Sequence, residues 1–133
     1  MPEQQTLKRA RKAKRQGKSP STQAGEFVRE EIEHIREGKH GARSTEQAIA
    51  IGLSKARRAG VKLPAPKKGR ASAATRKRAQ QDLRAAKPHK KPSSKRALAS
   101  LRRLKREPRV AASRQALARH ARVAARRRRR TSA

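Results

Sequence analysis

The chain has 133 residues, of which 40 are Lys or Arg and nine are Asp or Glu, a formal charge of +31 at pH 7. A compact body with that charge repels itself unless a polyanion neutralises it, and nucleic acid is the polyanion a cell holds in bulk. Cysteine is absent and Phe27 is the only residue among Phe, Trp and Tyr, which excludes a disulfide framework and a thiolate metal site and leaves no aromatic platforms for stacking the bases of a single strand.

The residues before position 23 form a basic arm, 1–22. Its candidate phosphate-gripping side chains are Lys8, Arg9, Arg11, Lys12, Lys14 and Arg15. No residue in this arm is expected to pack into a core, so it is expected to be largely disordered or only conditionally helical, because strings of like charge oppose a helix in free solution.

The charge changes abruptly in the next segment, 23–63. Between Ala24 and Gly60 stand seven basic and six acidic side chains, leaving 33 basic and three acidic for the rest of the chain. The large apolar residues gather in this near-neutral island. The spacing of Ala24, Val28, Ile32 and Ile35, with Phe27 at the margin, predicts a helix over about 23–37, capped by Ser21 or Thr22 and ended by Gly38. A second helix begins at Ser44, where Ser44 and Gln47 have the spacing of a capping box. Ile49, Leu53 and Ala56 form its stripe, and Gly60 followed by Val61 is its stop. The predicted fold is therefore mainly α: a short helical hairpin over about 23–60, flanked by the basic arms. Its apolar content is thin for a free-standing unit, so dimerisation through the hairpin is expected, with Ile51 either a dimer contact or a singly exposed side chain.

The last segment, 64–133, turns to Ala, Lys, Arg, Pro and Ser. Pro64 to Arg70 is expected to stay extended as a linker. Helix-capable stretches follow at about 72–87, 94–107 and 109–130, separated by Pro88, Pro92 and Pro108. In one of them Leu98, Leu101 and Leu104 form a narrow seam suited to docking on another helix. The candidate phosphate contacts here are Lys67, Lys68, Arg70, Arg76, Lys77, Arg78, Arg102, Arg103 and the run Arg126, Arg127, Arg128, Arg129 and Arg130. Arginine suits this work because its fork holds two phosphate oxygens at once.

Glu26, Glu30, Glu33 and Glu37 recur at helical spacing along the first hairpin helix. That stripe is either a solvated face or a dock for the chain's own basic arm or for a cationic partner. The histidines His34, His40, His89 and His120 share no metal-ligand spacing, and no nucleophile and base are paired, so neither a metal, a cofactor nor catalysis is expected. His40 is expected to face solvent in the turn. Sequence-specific readout is disfavoured, because the connection between the helices is longer than a helix-turn-helix turn and Glu46 beside Gln47 opposes phosphate approach. No apolar run approaches a membrane span or a signal-peptide core.

Glu26-Phe27-Val28-Arg29-Glu30-Glu31-Ile32 and the run from His40-Gly41-Ala42-Arg43-Ser44-Thr45-Glu46-Gln47 to Val61 resemble a small uncharacterised family of basic bacterial proteins, some of them labelled DNA-binding or plasmid-stabilisation proteins. The resemblance implies a bacterial source and DNA as partner, and it brings no catalytic residues. The arms resemble linker-histone tails in composition. The expected function is sequence-nonspecific binding and compaction of DNA in a cytoplasmic nucleoid, with duplex DNA favoured over RNA and no membrane partner. An RNA-binding, ribosome-associated protein and a plasmid-maintenance interaction module are the alternatives.

Overall fold

The computed structural model describes residues 2–86 and 93–132; Pro88, His89 and Pro92 lie outside them, as do the side chains of Thr131 and Ser132. The described residues form six α-helices: α1 Gln4–Arg15, α2 Pro20–Arg36, α3 Thr45–Arg58, α4 Ala73–Arg84, α5 Ser94–Lys105 and α6 Arg114–Ser132, with a single 3-10 turn at Val110–Ala112. Helix, the 3-10 turn included, accounts for 71% of the described residues, so the expectation of largely disordered arms is corrected: their described residues are largely helical. The chain divides into two compact units, Met1–Glu31 with Ala50–Lys91 and Ile32–Ile49 with Pro92–Ala133.

The two hairpin helices start and stop by local chemistry. Helix α2 opens one turn earlier than expected. Ser19, not Ser21 or Thr22, receives the Thr22 N–H at 3.3 Å, and Pro20 occupies the first helical position, where its missing N–H costs nothing and its fixed φ fits. At α3 the Gln47 N–H donates to Ser44 Oγ at 3.1 Å while Gln47 Oε1 accepts from the Arg43 N–H at 2.6 Å. The stops fall at Gly38 and Gly60, both with left-handed backbone. After Gly60 the Val61 N–H returns to the Ala56 carbonyl at 3.0 Å, the C-terminal closure expected of that pair.

In the first unit the core is Ala10, Ala24, Phe27, Ala56 and Val61, with Leu7, Leu53 and Leu63 packed against it. Phe27, expected at the margin of the stripe, is its centre at 1% exposure, because α1 covers that side of α2. The expectation that nothing in the N-terminal arm packs is corrected by Leu7 and Ala10. Thr6, Ala10 and Ala13 form the buried face of α1, and its periodicity then sets Lys8, Arg11, Lys12 and Arg15 on the opposite, exposed face.

Helices α2 and α3 approach most closely at Gly52, where an added Cβ would lie 2.6 Å from Val28 Cα and 2.9 Å from its backbone nitrogen. The obstacle is backbone and cannot rotate aside. Gly52→Leu is expected to lower stability by about 2 kcal/mol or more, read as the midpoint of urea unfolding; a midpoint within experimental error of the parent would contradict the crossing. Helix α4 opens on Ser72, whose hydroxyl accepts the Thr75 N–H at 3.2 Å, and it buries Ala79 and Asp82. Of the linker expected to stay extended over 64–70, residues 64–67 are non-helical, but the chain then folds into a tight turn at Gly69, with the Arg70 N–H donating to the Lys67 carbonyl at 3.1 Å.

The second unit has its own cluster: Ile35, Ala42, Ala48, Ala111 and Ala112, with Ile32 packed against it. Small side chains dominate, so backbone segments come close. The Gly41 N–H donates to the Leu104 carbonyl at 2.8 Å and the Ala42 N–H to the Pro108 carbonyl at 2.9 Å. The Thr45 hydroxyl donates to the Ala111 carbonyl at 2.5 Å. His40, expected to face solvent, is buried, its Nδ1 2.9 Å from the Gly41 carbonyl and its ring edge-on to His34 at 6.1 Å. The close seating of 104–112 on the α2–α3 connection covers it. Helix α5 buries no residue, and Leu98 and Leu101 remain 53% and 40% exposed. Ile51 is half-buried.

Candidate nucleic-acid interface

Acidic side chains and backbone carbonyls together engage a subset of the cations within the chain. Glu30, 2% exposed in the middle of α2, accepts through Oε1 from the Glu3 N–H at 2.6 Å and the Thr6 hydroxyl at 3.1 Å. Those donors are the N-cap and first turn of α1, which has no side-chain cap of its own. A carboxylate there satisfies the Glu3 N–H and favours the positive end of the helix dipole, while Lys12, Lys14 and Arg15 stand at the other end. Arg9 Nε lies 3.1 Å from Glu26. Two members of the acidic stripe therefore hold the basic N-terminal arm as a helix. Glu37 pairs with Lys39 at 3.4 Å.

The same use recurs elsewhere in the first unit. Lys55 pairs with the fully buried Glu31. Asp82 on α4 accepts from the Ser54 hydroxyl at 2.7 Å and from Arg58 Nε at 2.9 Å on α3. Arg57 is buried, and burial pushes its guanidinium down from the ordinary range, with Asp82 opposing; it stays charged and donates to the carbonyls of Leu63 and Pro64 at 3.2 and 3.1 Å. These bonds fix the turn after α3.

The cations singled out from sequence sort into two groups. Lys8, Arg11, Lys12, Lys14 and Arg15 on α1 are exposed, as are Lys67, Lys68 and Arg70 on the connection and Lys77 and Arg78 on α4. Arg102 and Arg103 on α5 and Arg126 to Arg130 at the end of α6 are exposed as well. Arg9 and Arg76 are half-buried and engaged: Arg9 with Glu26, and Arg76 through Nε with the Pro66 carbonyl at 3.2 Å. The helices thus turn most of these cations outward, while Glu30, Glu31 and Asp82 are turned inward. The five consecutive arginines of α6 encircle it, since five residues exceed one turn.

Sequence reasoning passed over Arg36 and Arg109. Arg109 donates through Nε to the Ile35 carbonyl at 3.1 Å and through Nη2 to the Arg36 carbonyl, capping the end of α2. Arg36 Nε donates to the Ala112 carbonyl at 3.1 Å. Partners more than 70 positions apart leave no local signal. Gln47, considered as a base reader, is occupied in the α3 cap.

Glu46 is exposed and lies 3.1 Å from His120 Nδ1. The hydrogen bond from His120 holds its carboxyl below the ordinary glutamate range. A depressed carboxylate contributes stability above its unfolded pKa, and that contribution fades as the pH falls through the folded one; screening by solvent keeps it small. In an NMR pH titration, His120→Ala is expected to move the Glu46 midpoint upward, and an unmoved midpoint would contradict the contact.

No described helix is long and apolar enough to cross a membrane. No curated protein and no solved structure matches the chain. Residues 4–68, the stretch that holds α1, α2 and α3, match the model of DUF6496, a family of unknown function.

Proposed function

We propose that this protein binds duplex DNA without regard to sequence, neutralising backbone phosphates and compacting the duplex in the manner of a nucleoid-associated protein. The observation that carries the reading is the sorting of charge: Glu26, Glu30, Glu31 and Asp82 are engaged within the chain, while Lys8, Arg11, Lys12, Lys14 and Arg15 on α1, Lys77 and Arg78 on α4, Arg102 and Arg103 on α5 and Arg126 to Arg130 on α6 stay exposed. Each exposed cation that meets a phosphate releases condensed counterions, and that entropy gain drives association. Several cationic helices on one chain also make a second duplex contact effectively intramolecular, which favours bridging. Binding rather than catalysis is the reading, since the buried carboxylates serve packing. A cytoplasmic, nucleoid location in a bacterium follows from the same reading.

The experiment is competition. A labelled duplex of about 30 base pairs, long enough to span several phosphate contacts, is bound to the full chain and challenged with unlabelled duplex DNA and with structured RNA at matched salt. DNA is expected to displace the label at lower phosphate concentration than RNA. The reverse order would move the reading to an RNA-binding, ribosome-associated protein.

A further inference from the structure

We infer that the hollow between the end of α2 and the start of α6, in the second unit, binds a phosphate group. This deepens the proposed function and, as to the source of the phosphate, rests on it. The hollow measures about 520 Å³ and is lined by Arg36, Arg109, Val110, Ala112, Ser113 and Arg114. It collects three guanidiniums, and no carboxylate among the described residues lines it. None of the three was singled out as a phosphate contact from the sequence.

Arg36, Arg109 and Arg114 are exposed like the other cations; what separates this hollow from them is preorganisation. Arg36 is held through Nε by the Ala112 carbonyl, and Arg109 through Nε and Nη2 by the Ile35 and Arg36 carbonyls. A guanidinium carries five N–H donors, so each of these side chains is fixed on backbone and still has donors to offer. Ordering a free arginine costs rotamer entropy when it binds, and these two have lost that entropy on folding. Three like charges gathered at one concavity also repel one another until an anion enters. A carboxylate offers two oxygens to such a set. A phosphate group offers more acceptor oxygens and the tetrahedral spread to meet forks from three directions. The group is either an internal phosphodiester of a duplex or a terminal phosphomonoester, two sources of one chemistry.

The test uses the full-length, isotope-labelled chain. Inorganic phosphate is titrated at constant ionic strength while the arginine side-chain Nε–Hε signals are followed by NMR. Saturable shifts are expected at Arg36, Arg109 and Arg114, with smaller, non-saturating shifts at Arg126 to Arg130. Arg114→Gln is expected to weaken the midpoint about tenfold, the value of one charged hydrogen-bond pair, whereas Arg122→Gln, which removes the same charge from an exposed position on α6 outside the hollow, leaves it unchanged. Shifts alike at both places, or an Arg114→Gln midpoint equal to the parent's, overturn the site. Should Arg114→Gln melt early, Arg114→Lys carries the test, because it keeps the charge and loses the fork: a weakened midpoint supports the site and an unchanged one overturns it. Duplexes with phosphorylated and unphosphorylated ends then give the source. A larger loss for Arg114→Gln than for Arg122→Gln on both duplexes identifies the backbone; a larger loss on the phosphorylated one alone identifies the terminus. Equal losses on both overturn nucleic acid as the source. A chain that saturates with inorganic phosphate at the three arginines yet binds no duplex supports the site and refutes the DNA-binding reading.

Discussion

Gly41→Ala is expected to cost the second unit about 3 kcal/mol or more, far beyond the usual effect of one methyl group. The added Cβ would lie 1.8 Å from the Glu107 carbonyl oxygen and 2.6 Å from that of Pro108. Both obstacles are main-chain atoms, so the only relief is for residues 104–112 to move off the α2–α3 connection. That movement breaks the Gly41 to Leu104 and Ala42 to Pro108 hydrogen bonds and the Thr45 to Ala111 bond, and it uncovers Ala111 and Ala112. The matching control is Gly25→Ala. Gly25 is exposed within α2, with nothing within 4 Å of an added Cβ, so alanine there should stabilise by about 0.5–1 kcal/mol through its better helix propensity. Thermal melts of the two variants should move in opposite directions. Amide exchange at Gly41 and Ala42 should quicken in the first. If both variants melt alike, residues 104–112 are not seated where the structure has them.

The second large effect is expected at Glu30. Removing its carboxylate leaves the Glu3 N–H and the Thr6 hydroxyl without an acceptor, and Thr6 is fully buried. An orphaned buried donor costs about 1–3 kcal/mol, and the absence of the anion at the N-terminus of α1 adds up to about 1 kcal/mol more. Glu30→Ala should therefore detach α1, lowering stability by about 3 kcal/mol. Glu30→Gln keeps an oxygen to accept and should cost about 1 kcal/mol. Glu37→Gln, on an exposed side chain paired with Lys39, should be close to neutral. Hydrogen exchange across residues 4–15 distinguishes these cases. Protection of α1 should fall towards that of a free peptide in Glu30→Ala and persist in Glu37→Gln. Unchanged protection in Glu30→Ala would show that the buried carboxylate does not hold the arm.

The hairpin was legible in the sequence because its signals are local. Ser44 and Gln47 are three positions apart, Gly60 and Val61 are adjacent, and the Ala24-to-Ile35 stripe repeats every turn. The helices outside it were legible only as helix-capable stretches, although the serines that cap them, Ser72 and Ser93, can be read in place. Their order was not legible. Helix α1 meets the core through only Leu7 and small alanines, so its hydrophobic signal is drowned by a nearly continuous run of cations from Lys8 to Arg15. The groups that hold it, Glu26 and Glu30, are local in meaning only once the fold is known; from sequence they made a stripe with two readings. Asp82, one of three acidic residues outside the island, gave no hint of its contact with Ser54 and Arg58. Arg36 and Arg109 looked like two more cations among 40, since the carbonyls they hold lie across the chain. Composition singled out the exposed cations proposed to meet phosphate, and it could not separate them from Arg9 and Arg76, which the fold engages.

The measurement that bears most directly on the central claim is the slope of log affinity for duplex DNA against log salt, for the parent chain and for the variant with Arg126 to Arg130 replaced by glutamine. Phosphate neutralisation predicts a steep negative slope that becomes shallower by roughly 0.9 for each phosphate left without its cation, about 4 to 5 across the five arginines. A slope near zero in the parent, or an equal slope in the two proteins, would contradict it.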